Sequence, residues 1–178
     1  MHVRGLTLQL TPHLFIGNQP KMKKGELLGL DMAERTGVYS QQFKGVWRFP
    51  KTGKAPGCYG PDYQRETYFI NFVSDFIRKN GIKLVIAEDL LWLDRSYKAN
   101  EQLSFYHWAL VLICQQCGIR EPIFVKPKYL KRFATGNLFA TKEQMIEACK
   151  KRWHINPTDD NEADAAHLYF YGLKKYVL

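Results

Sequence analysis

Residues 27–33, Leu-Leu-Gly-Leu-Asp-Met-Ala, are almost continuously apolar, where a half-exposed strand would alternate. Such a run predicts a strand buried on both faces, and this one meets an acid, Asp31. Arg35-Thr36-Gly37 reads as a turn, and residues 38–43 and 45–50 as two further strands joined hairpin-fashion. The Gly- and Pro-rich stretch 51–62 is a loop, and Asp62 is placed to cap an amphipathic helix that stops at Gly81. Residues 82–91 repeat the first pattern, a buried strand with an acid, Glu88, near its C-terminal end. Residues 100–118 form a long helix, apolar enough to be covered on more than one side, and 122–127 a short strand ended by Pro127. A loop over 131–140 leads to a helix over 141–153 with Thr141 at its N-cap and only part of a capping box. The last helix, about 160–176, opens on acids and closes on Lys174-Lys175, which suits its dipole.

Three hairpin-linked strands followed by alternating helices and strands imply an α/β architecture with a mixed sheet and helices on its faces. Residues 1–25 contain one alternating stretch, Leu-Thr-Leu-Gln-Leu, and a turn at 17–20. They predict an N-terminal extension, either an arm or an edge hairpin, ahead of a single domain over 26–178.

The chain is long enough for one well-buried core and too short for two ordinary ones. No apolar run reaches the roughly 18 residues needed to cross a bilayer. The first 15 residues lack the pattern of a secretory signal, so the four cysteines are expected to be reduced thiols of a cytoplasmic protein. Cys114 and Cys117 form a CxxC, but without a second ligand pair they read as thiols on a packed helix face rather than a zinc site. Charge changes the picture more. With 26 basic and 17 acidic residues the net charge is +9, which points to a polyanionic partner. The cations fall in four groups, at 21–24, 44–54, 126–132 and 150–152.

Against that basic background a few acids stand where acids are costly. Asp31 and Glu88 end apolar strands, where a carboxylate needs an ion pair, solvent at the strand tip, or a bound cation. Arg35 and Arg95 are the candidate ion-pair partners. Asp160 and Asp164 are four apart and share one face of the last helix, although like charges at that spacing repel. Capping and the helix dipole account for acids at 159 and 160 but not for Asp164, which lies among Ala163, Ala165 and Ala166. Those small residues predict a helix lying close against the sheet, with Asp164 turned toward Asp31 and Glu88. Carboxylates from separate elements suit Mg²⁺ or Mn²⁺, and two such ions roughly 4 Å apart serve phosphodiester hydrolysis.

The stretches 27–40, 83–91, 125–145 and 159–172 carry these features in an order and spacing that resemble the RuvC-type Holliday junction resolvases, the phage-encoded branch in particular. The resemblance spans most of residues 26–173. It implies an RNase H-like fold with a five-stranded mixed sheet, a homodimer, and a crossover junction endodeoxyribonuclease making paired nicks across four-way junctions. It also implies two Mg²⁺ ions per site, with Mn²⁺ as substitute. The family's strand-borne acids fall on Asp31 and Glu88, and its C-terminal Asp before Ala on Asp164. Many members carry an acid or His three residues before that Asp, where this chain has Asn161. Asp160 is therefore the candidate fourth ligand and Glu162 an outside one, while Asn161 is the alternative through its carbonyl. Lys126, Lys131 and Lys142 match the family's basic region and are expected at DNA together with Lys128 and Arg132, though Lys142 also reads as an ordinary helix lysine. Trp92, just after the Glu88 strand, is either a wedge at the branch point or a core residue. Two other readings stay open: a broader branched-DNA or RNA-processing nuclease of this fold, and a junction-binding protein without catalysis.

Overall fold

The computed structural model describes residues 22–49, 63–89 and 97–177. The strands are β1 (Leu27–Asp31), β2 (Arg35–Tyr39), β3 (Lys44–Arg48), β4 (Leu84–Glu88) and β5 (Ile123–Val125), in the spatial order β3-β2-β1-β4-β5. β1–β2–β3 is an antiparallel meander, whereas β4 and β5 run parallel to β1. The helices are α1 (Tyr63–Lys79), α2 (Tyr97–Gln116), α3 (Pro127–Thr135), α4 (Lys142–Trp153) and α5 (Asp160–Gly172), the last continued by a π turn over Leu173–Val177.

β1 and β4 are covered on both faces because alternate residues serve two cores. Leu28, Leu30, Val85 and Ala87 pack with Phe69, Val73 and Ile77 of α1 and Leu110 and Ile113 of α2. Leu27, Leu84 and Ile86 pack with Leu168 and Tyr169 of α5, joined by Leu130 of α3 and Met145 of α4. Each leucine fully buried in this way contributes about 1.5–3 kcal/mol. Cys114 lies inside the first core and Cys117 packs against it, and burial pushes the Cys114 thiol up to about 12. No helix among the described residues is long and apolar enough to cross a membrane.

Four expectations are corrected. Arg35-Thr36-Gly37 is not a turn but the first half of β2; the chain reverses at residues 32–34 instead, where Thr36 Oγ1 donates to the Ala33 carbonyl (2.8 Å). Gly37 is there because another backbone comes against it, a role for a strand glycine that sequence does not separate from turn formation. Residues 131–140 are not all loop, since Pro127 opens α3 at its first turn rather than merely closing β5. Leu130 and Ala134, four apart, bury that helix's inner face. The capping box of α4 is complete: Thr141 Oγ1 accepts from Gln144 N–H (3.3 Å) and Gln144 Oε1 accepts from Thr141 N–H (3.0 Å). The last helix ends its α-helical part at Gly172, not near 176. The expected loop over 51–62, the Asp62 cap and the 1–21 portion of the extension lie outside the described residues.

The approach of α5 to the sheet is unusually tight. A Cβ on Gly37 would stand 1.9 Å from the Asn161 carbonyl oxygen, and one on Gly29 would stand 2.3 Å from the Ala165 carbonyl oxygen. Both neighbours are backbone and have nowhere to go. Gly37→Ala should therefore destabilise the protein by about 1–3 kcal/mol or more, read as a lower urea midpoint. An unchanged midpoint would contradict this packing.

Candidate active site

The sheet brings two acids together before any helix is added. β1 and β4 pair in the register Leu27↔Leu84 through Leu30↔Ala87, so Asp31 and Glu88 are the next pair along. Both stand at the C-terminal ends of parallel strands, where open α/β sheets form their ligand sites. Asp31 shares its strand face with Leu27 and Gly29, the face that α5 covers. Asp160 opens α5 and Asp164 follows one turn later, with Ala163, Ala165 and Ala166 fully buried around it.

Electrostatics shows that the four acids share one environment. Burial raises Asp31 well above the usual carboxylate range, and the charges of Glu88, Asp164 and Asp160 raise it further against the pull of Lys142. Burial likewise carries Asp164 up to about 7, with Glu88 and Asp160 adding to it and Lys131 and Lys142 opposing. Asp31 is 8% exposed, and Asp164 Oδ1 is buried without a hydrogen-bond partner. A buried carboxylate oxygen with no donor needs a proton or a cation.

The N-terminus of α5 divides its labour between neighbouring acids. Asp159 is the N-cap: its Oδ1 accepts from Glu162 N–H (3.0 Å), and its Oδ2 is paired with Arg35. Capping is thus satisfied by Asp159, and Asp160 is left to face the cluster. Glu162 turns away into the protein, where its Oε2 accepts from both Thr158 N–H (2.9 Å) and Thr158 Oγ1 (2.8 Å). The Asn161 backbone carbonyl is the group pressed against Gly37.

Two lysines enter the site from the helices beyond β5. Lys142, the first residue of α4, pairs with Asp160; this bond holds Asp160 below the usual carboxylate range and raises Lys142. Lys131 on α3 acts on Asp164. α4 itself is fixed to α5 through buried His167, which accepts from Trp153 Nε1 at Nδ1 (2.9 Å) and so offers Nε2–H to the Met145 carbonyl (2.9 Å). Lys126, Lys128 and Arg132 are exposed at the start and on the outer face of α3. Trp92 and Arg95 lie outside the described residues. Arg35 was foreseen as an ion-pair partner for Asp31 and serves Asp159 instead; nothing in its local sequence points across the sheet to a residue 124 positions away.

As the side chains stand, no three Asp, Glu, His or Cys groups among the described residues form a closed metal cage. Lys142 occupies Asp160, while burial and mutual repulsion raise Asp31 and Asp164. The donor set nonetheless fits a hard divalent cation, since it is all carboxylate oxygen and includes the unpartnered Asp164 Oδ1.

The raised Asp164 has a thermodynamic signature. A carboxyl whose folded pKa exceeds its unfolded value favours folding while protonated, and that advantage is lost as pH rises toward about 7. Without divalent metal, Asp164→Asn should melt higher than wild type at pH 8, by about 3 °C or more, with the gap narrowing at pH 5 and closing below about pH 4. Comparing the two proteins cancels the histidine contributions. A gap independent of pH would mean that Asp164 is not the strained group.

No protein-family model and no curated protein matches the sequence. Among solved structures, a Thermus thermophilus RuvC structure is similar with a TM-score of 0.60 at 16% identity, over 84% of this chain and 95% of that one. A T. thermophilus RuvC in complex with Holliday junction substrate gives a TM-score of 0.60 at 14% identity, over 80% of this chain and 89% of that one. At such identities the likeness is one of architecture. The mixed five-stranded sheet with its flanking helices is a RuvC-like, RNase H-like α/β fold.

Proposed function

We propose that this protein is a divalent-metal-dependent endonuclease that nicks branched DNA, four-way junctions above all. The observation that carries the proposal is the cluster of one buried and three part-buried acids at the ends of β1 and β4 and on α5, with a buried Asp164 oxygen that no protein donor satisfies. Asp31, Glu88 and Asp164 would hold the metal, and Asp160 would join them on leaving Lys142, with the Asn161 side-chain carbonyl as the alternative fourth donor. When bound, two Mg²⁺ or Mn²⁺ ions supply a water acidic enough to attack phosphorus and neutralise charge on the leaving oxygen.

The chain's own groups do the rest. Lys142, once it exchanges Asp160 for a phosphate oxygen, places an ammonium beside the scissile group. Lys126, Lys128, Lys131 and Arg132 give the neighbouring phosphates an electrostatic seat. The likeness to a RuvC bound to a Holliday junction supports a branched substrate. A homodimer would present two such sites related by a two-fold axis, matching the approximate symmetry of a four-way junction. Within this proposal the protein belongs with the phage-encoded resolvases and works in the cytoplasm of the bacterial cell.

With Mg²⁺, the protein should nick a synthetic four-way junction faster than a fork, and a fork faster than linear duplex. Asp31→Asn should bind the junction but cut it about a hundredfold more slowly or worse, since even residues behind a metal ligand can account for losses of that order. If Asp31→Asn cuts as fast as wild type, the site is misassigned. Equal cutting of junction, fork and duplex would leave a nuclease of broader choice, and preferential cutting of RNA would move the substrate class.

A further inference from the structure

Phe139 is the most exposed large apolar side chain among the described residues, with 78% of its surface in water. Its neighbour Ala140 is 1% exposed and sits in the core with Leu130 and Met145. The segment between α3 and α4 therefore buries a methyl group and displays a benzyl group one residue away.

The backbone that displays it is hydrogen-bonded at each step. Gly136, at φ 84°, ends α3 and donates its N–H to the Arg132 carbonyl (2.9 Å). Thr135 Oγ1 donates to the Lys131 carbonyl (2.9 Å) and accepts from Asn137 N–H (3.0 Å). Asn137 Oδ1 in turn accepts from Phe139 N–H (3.0 Å), and the completed capping box of Thr141 and Gln144 fixes the far side. A ring held out in this way gains nothing inside the monomer to offset its exposed apolar area.

Its surroundings indicate what meets it. Between Arg132 and Gln144 the chain has one acid, Glu143, whereas Lys131 acts on Asp164 and Lys142 pairs with Asp160 in the acid cluster. An apolar protein surface is a poor match for an aromatic set among cations beside an active site. A nucleic acid base is a good one, because it offers a flat apolar face with a phosphate on either side.

We infer that Phe139 stacks on an unpaired or splayed base at the branch point while Lys131 and Lys142 hold the adjoining phosphates. It is a specificity residue: in continuous duplex every base face is already stacked, so the contact is open only where the helix is interrupted. The inference rests on the nuclease reading above.

The test is equilibrium binding of the full chain to a labelled four-way junction and to linear duplex of the same length, with Ca²⁺ replacing Mg²⁺ to keep the DNA intact. Phe139→Ala should lose about tenfold in junction affinity, the scale of one base–aromatic stack, with duplex affinity and melting temperature unchanged. Phe139→Trp should restore junction affinity. The inference is overturned if Phe139→Ala binds the junction as well as wild type, or if junction and duplex weaken equally. It is also overturned if the substitution changes the oligomeric state by sedimentation, which would make Phe139 a contact between copies of the chain. Failure of the nuclease reading itself looks different: wild type in Mg²⁺ would then leave the junction uncut, whatever its binding preference.

Discussion

The close seating of α5 on β1 and β2 is the constraint on which the rest depends. Two sheet glycines, Gly29 and Gly37, remove the side chains that would hold the helix off, whereas Ala163 and Ala166 pack with Cys149 and Ile155. Backbone meets backbone, so no side-chain rotation can relieve the contact. Because Asp164 lies on the helix between these points, it is driven toward the ends of the two central parallel strands. There it meets Asp31 and Glu88 in a place too dry for carboxylates to ionise easily.

Everything electrostatic about the site follows from that placement. Burial, more than mutual repulsion, is the larger cause of the raised Asp31 and Asp164, and repulsion then deepens it. The molecule answers with cations drawn from separate elements: Lys142 from α4, Lys131 from α3, and Arg35 on the Asp159 cap. The lysines only partly neutralise the cluster, and the unpartnered Asp164 oxygen shows where compensation stops. In folding terms this is a strained arrangement. Carboxyls perturbed in this way cluster at functional sites, and under the proposed reading a divalent ion would complete the compensation.

Much of this was legible in the sequence, for identifiable reasons. Apolar runs ending in acids mark buried parallel strands whichever partner they find, so β1 and β4 and their acids could be read directly. Of the small residues around Asp164, Ala165 lies where the last helix approaches the sheet, while Ala163 and Ala166 face Cys149 and Ile155. Less could be read where one residue type serves two physical ends. Gly37 looks alike as a turn former and as a gap for another backbone, and Pro127 alike as a strand ender and as a helix starter. The division of labour between Asp159 and Asp160 was also hidden, because two adjacent acids at a helix start are equivalent until the backbone chooses which one caps. Phe139 gave no signal, since one phenylalanine in a stretch that reads as loop shows neither burial nor exposure.

The central claim is that these acids are a cation site and not merely a buried salt-bridge cluster. A crystal soaked in Mn²⁺ tests it most directly, because the ion's anomalous scattering locates it without reference to the protein. Manganese density is expected within coordinating distance of Asp31, Glu88 and Asp164, with Lys142 withdrawn from Asp160. Manganese absent from that cluster at saturating concentration, with Lys142 still seated on Asp160, would contradict it.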